Sequence, residues 1–218
     1  MKKTFLVIGL GRFGASIART LNKMNCDVLA IDIDEESVSA ISNEVRHCVI
    51  ADATKYQVLK ELDVQSIDHV VIAIGNNLQA TILTIMNLKR LGVKNITVRA
   101  DEEGHCEVYR ALGANDVIIP EETASISLSN QIVSDSILDY YPLSDDYAIV
   151  KLNISKDFNQ NLIELDLRNK YGINIVGLIN QKNDFFIPKG TDKLKKGDIA
   201  VVVGTKQKIF RLDEFLNE

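Results

Sequence analysis

A glycine cluster between an apolar run and an amphipathic stretch constrains this chain more than any other feature. Thr4 to Ile8 (Thr-Phe-Leu-Val-Ile) is a short run of apolar and β-branched residues, the pattern of a buried strand. Gly9, Gly11 and Gly14 follow with G-x-G-x-x-G spacing. Phe13, Ile17 and Leu21 then recur every four residues, which marks one face of a helix. Val28 to Ile31 reads as a second strand, and Asp32 ends it.

Each part of that unit has a physical task. Gly9 lets the chain turn sharply out of the strand, Gly11 lets a phosphate approach the backbone, and Gly14 lets the helix pack close to the sheet. The helix N-terminus offers unpaired N–H groups and a partial positive charge to phosphates. Asp32 is placed to accept hydrogen bonds from ribose hydroxyls and to repel a 2′-phosphate. Arg12 lies inside the loop, and two readings of it stand. It pairs with a charged terminal phosphate, which suits ATP or ADP better than NAD, whose pyrophosphate has no free end. Otherwise it is a solvated arginine in a first helical turn, where the helix dipole disfavours a cation.

The net charge of −5 and the lack of any basic run argue against a general nucleic-acid binder. No apolar stretch reaches membrane-spanning length, so any membrane role is indirect. The opening lysines and apolar run mimic a signal peptide, but the run is too short and breaks at Gly9 to Arg12. Cys26, Cys48 and Cys106 form no C-x-x-C pair, as expected of a chain in a reducing cytoplasm. The dipeptides His47-Cys48 and His105-Cys106 invite a zinc reading. Neighbours on a strand point to opposite faces, which disfavours shared ligation by His47 and Cys48.

The remaining pattern alternates strands and helices. Helices are expected over 35–43, 56–62, 78–91 and 105–112, and strands over 47–50, 68–74, 96–99 and 117–119. Six strands with intervening helices make an α/β, doubly wound parallel sheet of Rossmann type. Gly75-Asn76-Asn77 turns at the C-terminal end of the fourth strand, on the same edge as the first glycine loop, where ligands sit in such sheets. The helix over 78–91 is apolar on more than one side: Leu78, Ile82, Ile85 and Leu88 form one stripe, and Ala80, Leu83 and Met86 extend it. Either a second subunit covers the excess or the helix lies deep in its own domain. Glu121 emerges at the sheet edge. It either ligates a divalent cation on the phosphates or opens the next helix.

Residues 123–139 read as a crossover helix and Leu143 to Asp146 as a hinge. Beyond it lies a small α+β unit. Strands are expected over 147–154, 173–179, 185–187 and 199–203, with a helix capped by Asn161 over 161–170 and a closing helix over 207–216. The expected domains are therefore 1–122, a connector over 123–146, and 147–218. A unit as small as the last is marginal alone, so pairing with its own copy would help it.

The whole chain resembles the cytosolic regulatory subunits of bacterial Ktr-type potassium uptake channels, built from an N-terminal and a C-terminal RCK (TrkA-N/TrkA-C) domain. The resemblance rests on Val7 to Gly14, Ala30-Ile31-Asp32, Ala51-Asp52-Ala53-Thr54, Val71 to Gly75, Leu112-Gly113-Ala114 and Ile119-Pro120-Glu121. In the second half it rests on Leu165-Asp166-Leu167-Arg168, Lys170-Tyr171-Gly172 and Lys196-Gly197-Asp198. It implies a homo-oligomer, dimers assembled into an octameric ring beneath a membrane-embedded potassium channel subunit, at the cytoplasmic face. It also implies ATP or ADP in the first domain. Gly9, Gly11, Arg12, Phe13 and Gly14 would cradle the phosphates and Asp32 would hold the ribose. Asp34, Asp52 and Ala73, with Ala53 and Gly75 of the same motifs, would line the ribose and adenine. Arg99 and Glu121 would lie near the phosphates and any cation. In the second domain it implies cyclic di-AMP at a two-fold interface. Arg168 is there the candidate phosphate partner, and Leu162, Ile163, Asp166, Leu167, Ile173, Asn174, Ile175 and Pro188 the surrounding wall.

The function this implies is regulation, not catalysis. The alternative is an NAD(H)-binding redox sensor or an NAD-dependent oxidoreductase, which the first domain permits. The second half carries no histidine and no Lys/Tyr or Ser/Lys set at recognisable spacing, so a catalytic constellation is missing.

Overall fold

The computed structural model describes residues 3–217, which fall into two compact units, 1–120 and 121–218. Among the described residues no helix is long and apolar enough to cross a membrane.

The first unit runs β1 (Thr4–Ile8), α1 (Arg12–Lys23), β2 (Asp27–Asp32), α2 (Glu35–Ser39), β3 (His47–Ile50) and α3 (Tyr56–Glu61). A single 3-10 turn over Val64–Ser66 leads to β4 (His69–Ile72), α4 (Leu78–Arg90), β5 (Ile96–Arg99), α5 (Glu103–Ala111) and β6 (Asp116–Ile118). The strands pair in parallel in the order β3-β2-β1-β4-β5-β6. This is the doubly wound sheet read from the sequence. The strand order reverses between β1 and β4, so the loops leaving those two strands open a crevice at the carboxyl edge of the sheet.

Both faces of the sheet are covered. Leu6 and Ile8 of β1 join Leu59, Ile72, Ile85, Leu88 and Ile96 in one core, while Val7 joins Ala15, Ala18, Val28 and Ile41 in the other. The two-residue alternation along β1 therefore feeds two cores at once, as a central parallel strand requires. The buried face of α1 is made of Gly14, Ala15 and Ala18, and Ile17 and Leu21 only flank it. The helix can then approach the sheet closely. α2 ends at Ser39, earlier than the expected Asn43, because the chain tightens into turns. The N–H groups of Ile41 and Ser42 donate to carbonyls only three residues back.

The second unit contains α6 (Pro120–Val133), β7 (Ile137–Pro142), β8 (Tyr147–Asn153), α7 (Leu162–Leu165) and α8 (Leu167–Tyr171). It then continues through β9 (Asn174–Ile179), β10 (Phe185–Phe186), β11 (Ile199–Thr205) and α9 (Lys206–Asn217). Its sheet is antiparallel throughout, ordered β10-β9-β11-β8-β7. One face is apolar: Ala148, Val150 and Leu152 of β8 and Ala200 and Val202 of β11 pack under Ile209, Leu212 and Leu216 of α9.

The sequence reading of 123–146 needs correction. The helix stops at Val133, and Ile137–Pro142 is a strand paired with β8, with Ile137 opposite Leu152 and Pro142 opposite Ala148. Leu143 to Asp146 is the hairpin turn that joins them, not a hinge: the N–H groups of Leu143 and Ser144 both donate to the Tyr147 carbonyl. Asp213 of α9, 8% exposed, accepts the hydroxyls of Ser134 and Ser136 and so ties the last helix to the start of β7. The expected helix over 161–170 is two short ones. Asn161 caps the first in a capping box with Glu164, and Asp166, at φ 50°, breaks it from the second.

Candidate functional site

A cavity of about 450 Å³ opens at the crevice between the loops that leave β1 and β4. Gly9, Gly11, Asp32, Asp52, Ala53, Ala73, Gly75 and Arg99, all singled out from the sequence, line it together.

The floor is set by Gly9. Its N–H donates to the Ile31 carbonyl and the Ala73 N–H donates to the Ile8 carbonyl, which pins the turn between β2 and β4. Gly9 has φ +91°, and a Cβ there would lie 2.7 Å from the Ala73 carbonyl carbon and oxygen. Both conformation and crowding demand glycine. Gly14 is required for a different reason, since a Cβ there would collide with the Gly9 carbonyl oxygen.

Gly11 and Gly75 are unlike these. Gly11 has an extended backbone, φ −61° and ψ −177°, that any residue adopts, and a Cβ there would meet no atom within 4 Å. A Cβ on Gly75 would likewise meet nothing within 4 Å. Neither glycine is required by the protein's own packing. What their missing side chains leave is open space in the cavity wall. Gly11 is also the N-cap of α1 and offers no side-chain cap, so the first N–H groups of a twelve-residue helix are left for another acceptor.

The polar groups of the wall divide by strand. Asp32 ends β2. Its Oδ2 accepts the Leu10 N–H at 2.5 Å, its Oδ1 accepts the Asp34 N–H at 3.0 Å, and its carbonyl accepts the Ala51 N–H at 2.8 Å. Each carboxylate oxygen keeps a second lone pair for a ligand hydroxyl. Asp52, just past β3, accepts the Thr54 N–H and hydroxyl through Oδ1, at 2.9 Å and 2.6 Å. The Thr54 hydroxyl, with the Thr54 N–H and the Lys55 ammonium adding to it, holds the Asp52 carboxyl below the usual carboxylate range. On the other side of β1, Arg99 reaches the cavity from the end of β5. Its Nη2 lies 3.2 Å from Asp101, and its guanidinium lies 5.8 Å from the centre of the Phe13 ring. The wall is thus acidic over β2 and β3 and cationic over β5, with the open end of α1 between. That order matches a ribose at one end and phosphates at the other.

Several sequence expectations fall elsewhere. Arg12 is exposed at the first position of α1 and is not part of the lining. Phe13 does not line the cavity, and its ring lies near the Arg99 guanidinium that does. Asp34, expected beside the ribose, instead caps α2. Its Oδ2 accepts the Ser37 N–H and hydroxyl, and the hydroxyl bond foremost lowers its carboxyl below the usual range. Glu121 lies with Glu122 in the first turn of α6, in the second unit. Sequence reasoning missed Ile33, Ser37, Asn77 and Ala80 as lining residues, and named Thr54 only within the Ala51-Asp52-Ala53-Thr54 motif. Asn77 and Ser37 were visible as turn and helix-start residues beside the glycine loop and Asp32. Ala80 and Ile33 carry no local signal.

In the second unit the residues expected around a cyclic dinucleotide divide by burial. Ile163, Arg168 and Asn174 are exposed, and Leu162, Asp166, Ile175 and Pro188 are half-buried. Leu167 and Ile173, at 5% and 1% exposure, belong to the core and can only support such a surface. Val176, Phe185 and Phe186 add exposed apolar side chains along β9 and β10, and Ile187 adds another just past β10.

Comparison with known proteins places this geometry. A TrkA-N domain matches residues 5–120 and a TrkA-C domain residues 155–217. The Ktr system potassium uptake protein C of Bacillus subtilis (strain 168) is 41% identical over 215 residues, covering 98% of this chain and 97% of that protein. The Ktr system potassium uptake protein A of the same organism is 37% identical over 212 residues, covering 97% and 96%. A structure of the GsuK channel bound to NAD shares the fold at TM-score 0.68 and 17% identity. It spans all of this chain, which in turn covers 40% of the GsuK chain.

Proposed function

The chain belongs to the TrkA-N/TrkA-C family that includes the Ktr system potassium uptake proteins, and from that premise we propose that it is the regulatory subunit of a bacterial potassium uptake channel, governed by ATP and ADP and not a catalyst. The observation that carries this reading is the pair Gly11 and Gly75: ordinary in conformation, open in surroundings, and set in the wall of one cavity at the reversal of the strand order.

In this reading Gly9, Gly11 and Gly14 and the N–H groups that open α1 receive the phosphates. Asp32 accepts the ribose hydroxyls, and Asp52, Ala53 and Ala73 border the base. Arg99 draws the phosphate tail toward β5. Arg12, exposed beside Gly11, is the cation for the terminal phosphate that ADP lacks. A divalent cation carried by the nucleotide would offset the charge of its phosphates. The subunits assemble through dimers into an octameric ring at the cytoplasmic face of the membrane subunit. The exposed Leu78, Leu83 and Met86 of α4 support burial against another chain. The second unit pairs two-fold and holds cyclic di-AMP through Arg168 and the half-buried residues around it, a symmetric ligand at a symmetric interface.

No bond need be made or broken. A ligand shifts a gate only by its differential affinity for the two states. Moving a gate from mostly closed to mostly open takes about 5.5 kcal/mol. Shared among the sites of an octamer, that is about 0.7 kcal/mol each, less than one charge-assisted hydrogen bond. NAD(H) is the competing ligand, since the GsuK structure holds NAD on this fold.

The reading is tested by potassium flux into vesicles carrying a Ktr-type membrane subunit with the full chain added. Flux is expected to be faster with ATP than with ADP, and Arg12→Ala to bind both nucleotides while losing that difference. Flux indifferent to either nucleotide overturns the proposal.

A further inference from the structure

α4 touches the nucleotide cavity in two ways. Its N-terminus lines it through Asn77 and Ala80. Further along, Asn87 donates from Nδ2 to the Thr54 carbonyl at 2.9 Å. One turn on, the Arg90 guanidinium lies 4.5 Å from the centre of the Tyr56 ring. Thr54 and Tyr56 flank Lys55 at the entrance to α3. α4 therefore grips the loop between β3 and α3 at two points spaced i and i+3, which lie on one helix face.

That loop needs a hold from outside. β3 is an edge strand with Val49 and Ile50 exposed, and α3 is six residues long with no side-chain cap. Within the loop, Asp52 Oδ1 is occupied by both Thr54 donors, while Oδ2 has the Lys55 ammonium only at 3.9 Å. Oδ2 is thus the acceptor that the loop leaves for a ligand. Its direction follows from where Thr54 stands, and Asn87 fixes Thr54. Asparagine is a poor helix former, so its place within α4 calls for a reason of this kind.

We infer that Asn87 is a positioning residue for the nucleotide base. Through Thr54 it sets the Asp52 carboxylate to accept a hydrogen bond from the exocyclic amine of adenine, and Arg90 assists by holding Tyr56. At the matching position guanine presents a carbonyl oxygen, which a carboxylate repels. The preference for ATP over GTP then depends on a side chain that touches neither. The inference rests on the adenine-nucleotide reading above.

The experiment compares the wild-type chain, Asn87→Ala and Arg90→Gln, each titrated with ATP, ADP and GTP in displacement of a fluorescent ADP analogue. Asn87→Ala is expected to weaken ATP and ADP by the same factor, about fivefold for one hydrogen bond, and not to weaken GTP, whose carbonyl the placed carboxylate repels. The ATP-over-GTP preference narrows by at least that factor. Arg90→Gln, at an exposed residue and so safe for folding, moves the preference the same way by less. Equal losses for ATP and GTP, or ATP binding unchanged in both variants, overturn the inference and leave Asn87 a structural role alone. A wild-type chain that binds no adenine nucleotide refutes the nucleotide reading itself and the inference with it. A wild type that binds, with a preference no variant moves, refutes only the assignment of Asn87.

Discussion

The Asp32 carboxylate accepts the backbone N–H of Leu10 at 2.5 Å, so the acid at the end of β2 is bonded to the glycine turn that leaves β1. A side chain read from sequence as a ribose acceptor is therefore also a brace for the phosphate loop. Its other oxygen accepts the Asp34 N–H at 3.0 Å.

This double duty predicts an uncommon result for Asp32→Asn. An amide has one acceptor oxygen, so one of the two backbone N–H groups would face an NH₂ group instead. Stability should fall by about 1–2 kcal/mol, together with a loss of nucleotide affinity. Urea denaturation without ligand checks the first effect and ligand titration the second. A stability equal to wild type would limit Asp32 to the ligand alone.

Gly9 and Gly11 should part company on substitution. Gly9→Ala forces an L side chain into φ +91° and against the Ala73 carbonyl, and should cost several kcal/mol. Gly11→Ala meets no protein atom within 4 Å, so the folded chain should keep its melting temperature and lose nucleotide binding. Circular dichroism and a binding titration on the two variants separate the cases. A Gly11→Ala protein with unaltered ligand affinity would mean that nothing enters the space beside that residue.

The reach of the sequence follows from how local each feature is. The stretch from β1 through α1 to Asp32 was legible because strand, turn, helix and acid are consecutive, and their spacing alone fixes the unit. β7 was not. Ile137 to Pro142 continues the apolar residues of α6, and what makes it a strand is its pairing with β8, from Ile137 opposite Leu152 to Pro142 opposite Ala148. In a window this short, helical and strand periods compete, and non-local hydrogen bonds decide. The split at Asp166 escaped for a related reason, since a left-handed residue inside a capped apolar run leaves no pattern break. On α4 the expected stripe was half right. Ile85 and Leu88 are buried, but Thr81 and Thr84 share the inner face and Leu78 is 40% exposed. The site shows the same division. Its glycines and acids sit in motifs, whereas Asn77, Ser37, Ile33 and Ala80 come to the cavity from separate loops and helices that only the fold assembles.

Asp198, 6% exposed, supplies a prediction for pH. Burial pushes its carboxyl above the usual carboxylate range, the nearby Asp157 adds to this, and the Lys195 ammonium and N–H oppose it. An acid with a higher pKa folded than unfolded favours the fold when protonated. That contribution is complete below the unfolded value and is lost as pH rises through the folded one. At neutral pH the ionised group is thus a cost to the second unit. Asp198→Asn should raise its melting temperature at neutral pH, and the gain should shrink toward nothing below about pH 4, where the aspartate is protonated in both states. Thermal melts of the two proteins across pH check this. A gain of constant size in acid contradicts it.

The account turns on an adenine nucleotide being held by its phosphates and released unaltered. The most direct measurement is the melting temperature of the full chain with ATP, ADP or NADH, followed by chromatography of the nucleotide recovered from each sample. ATP and ADP should each raise the melting temperature in a concentration-dependent way, more than NADH does at equal concentration, and should come back intact. A rise with NADH alone, or ATP consumed during incubation, would contradict it.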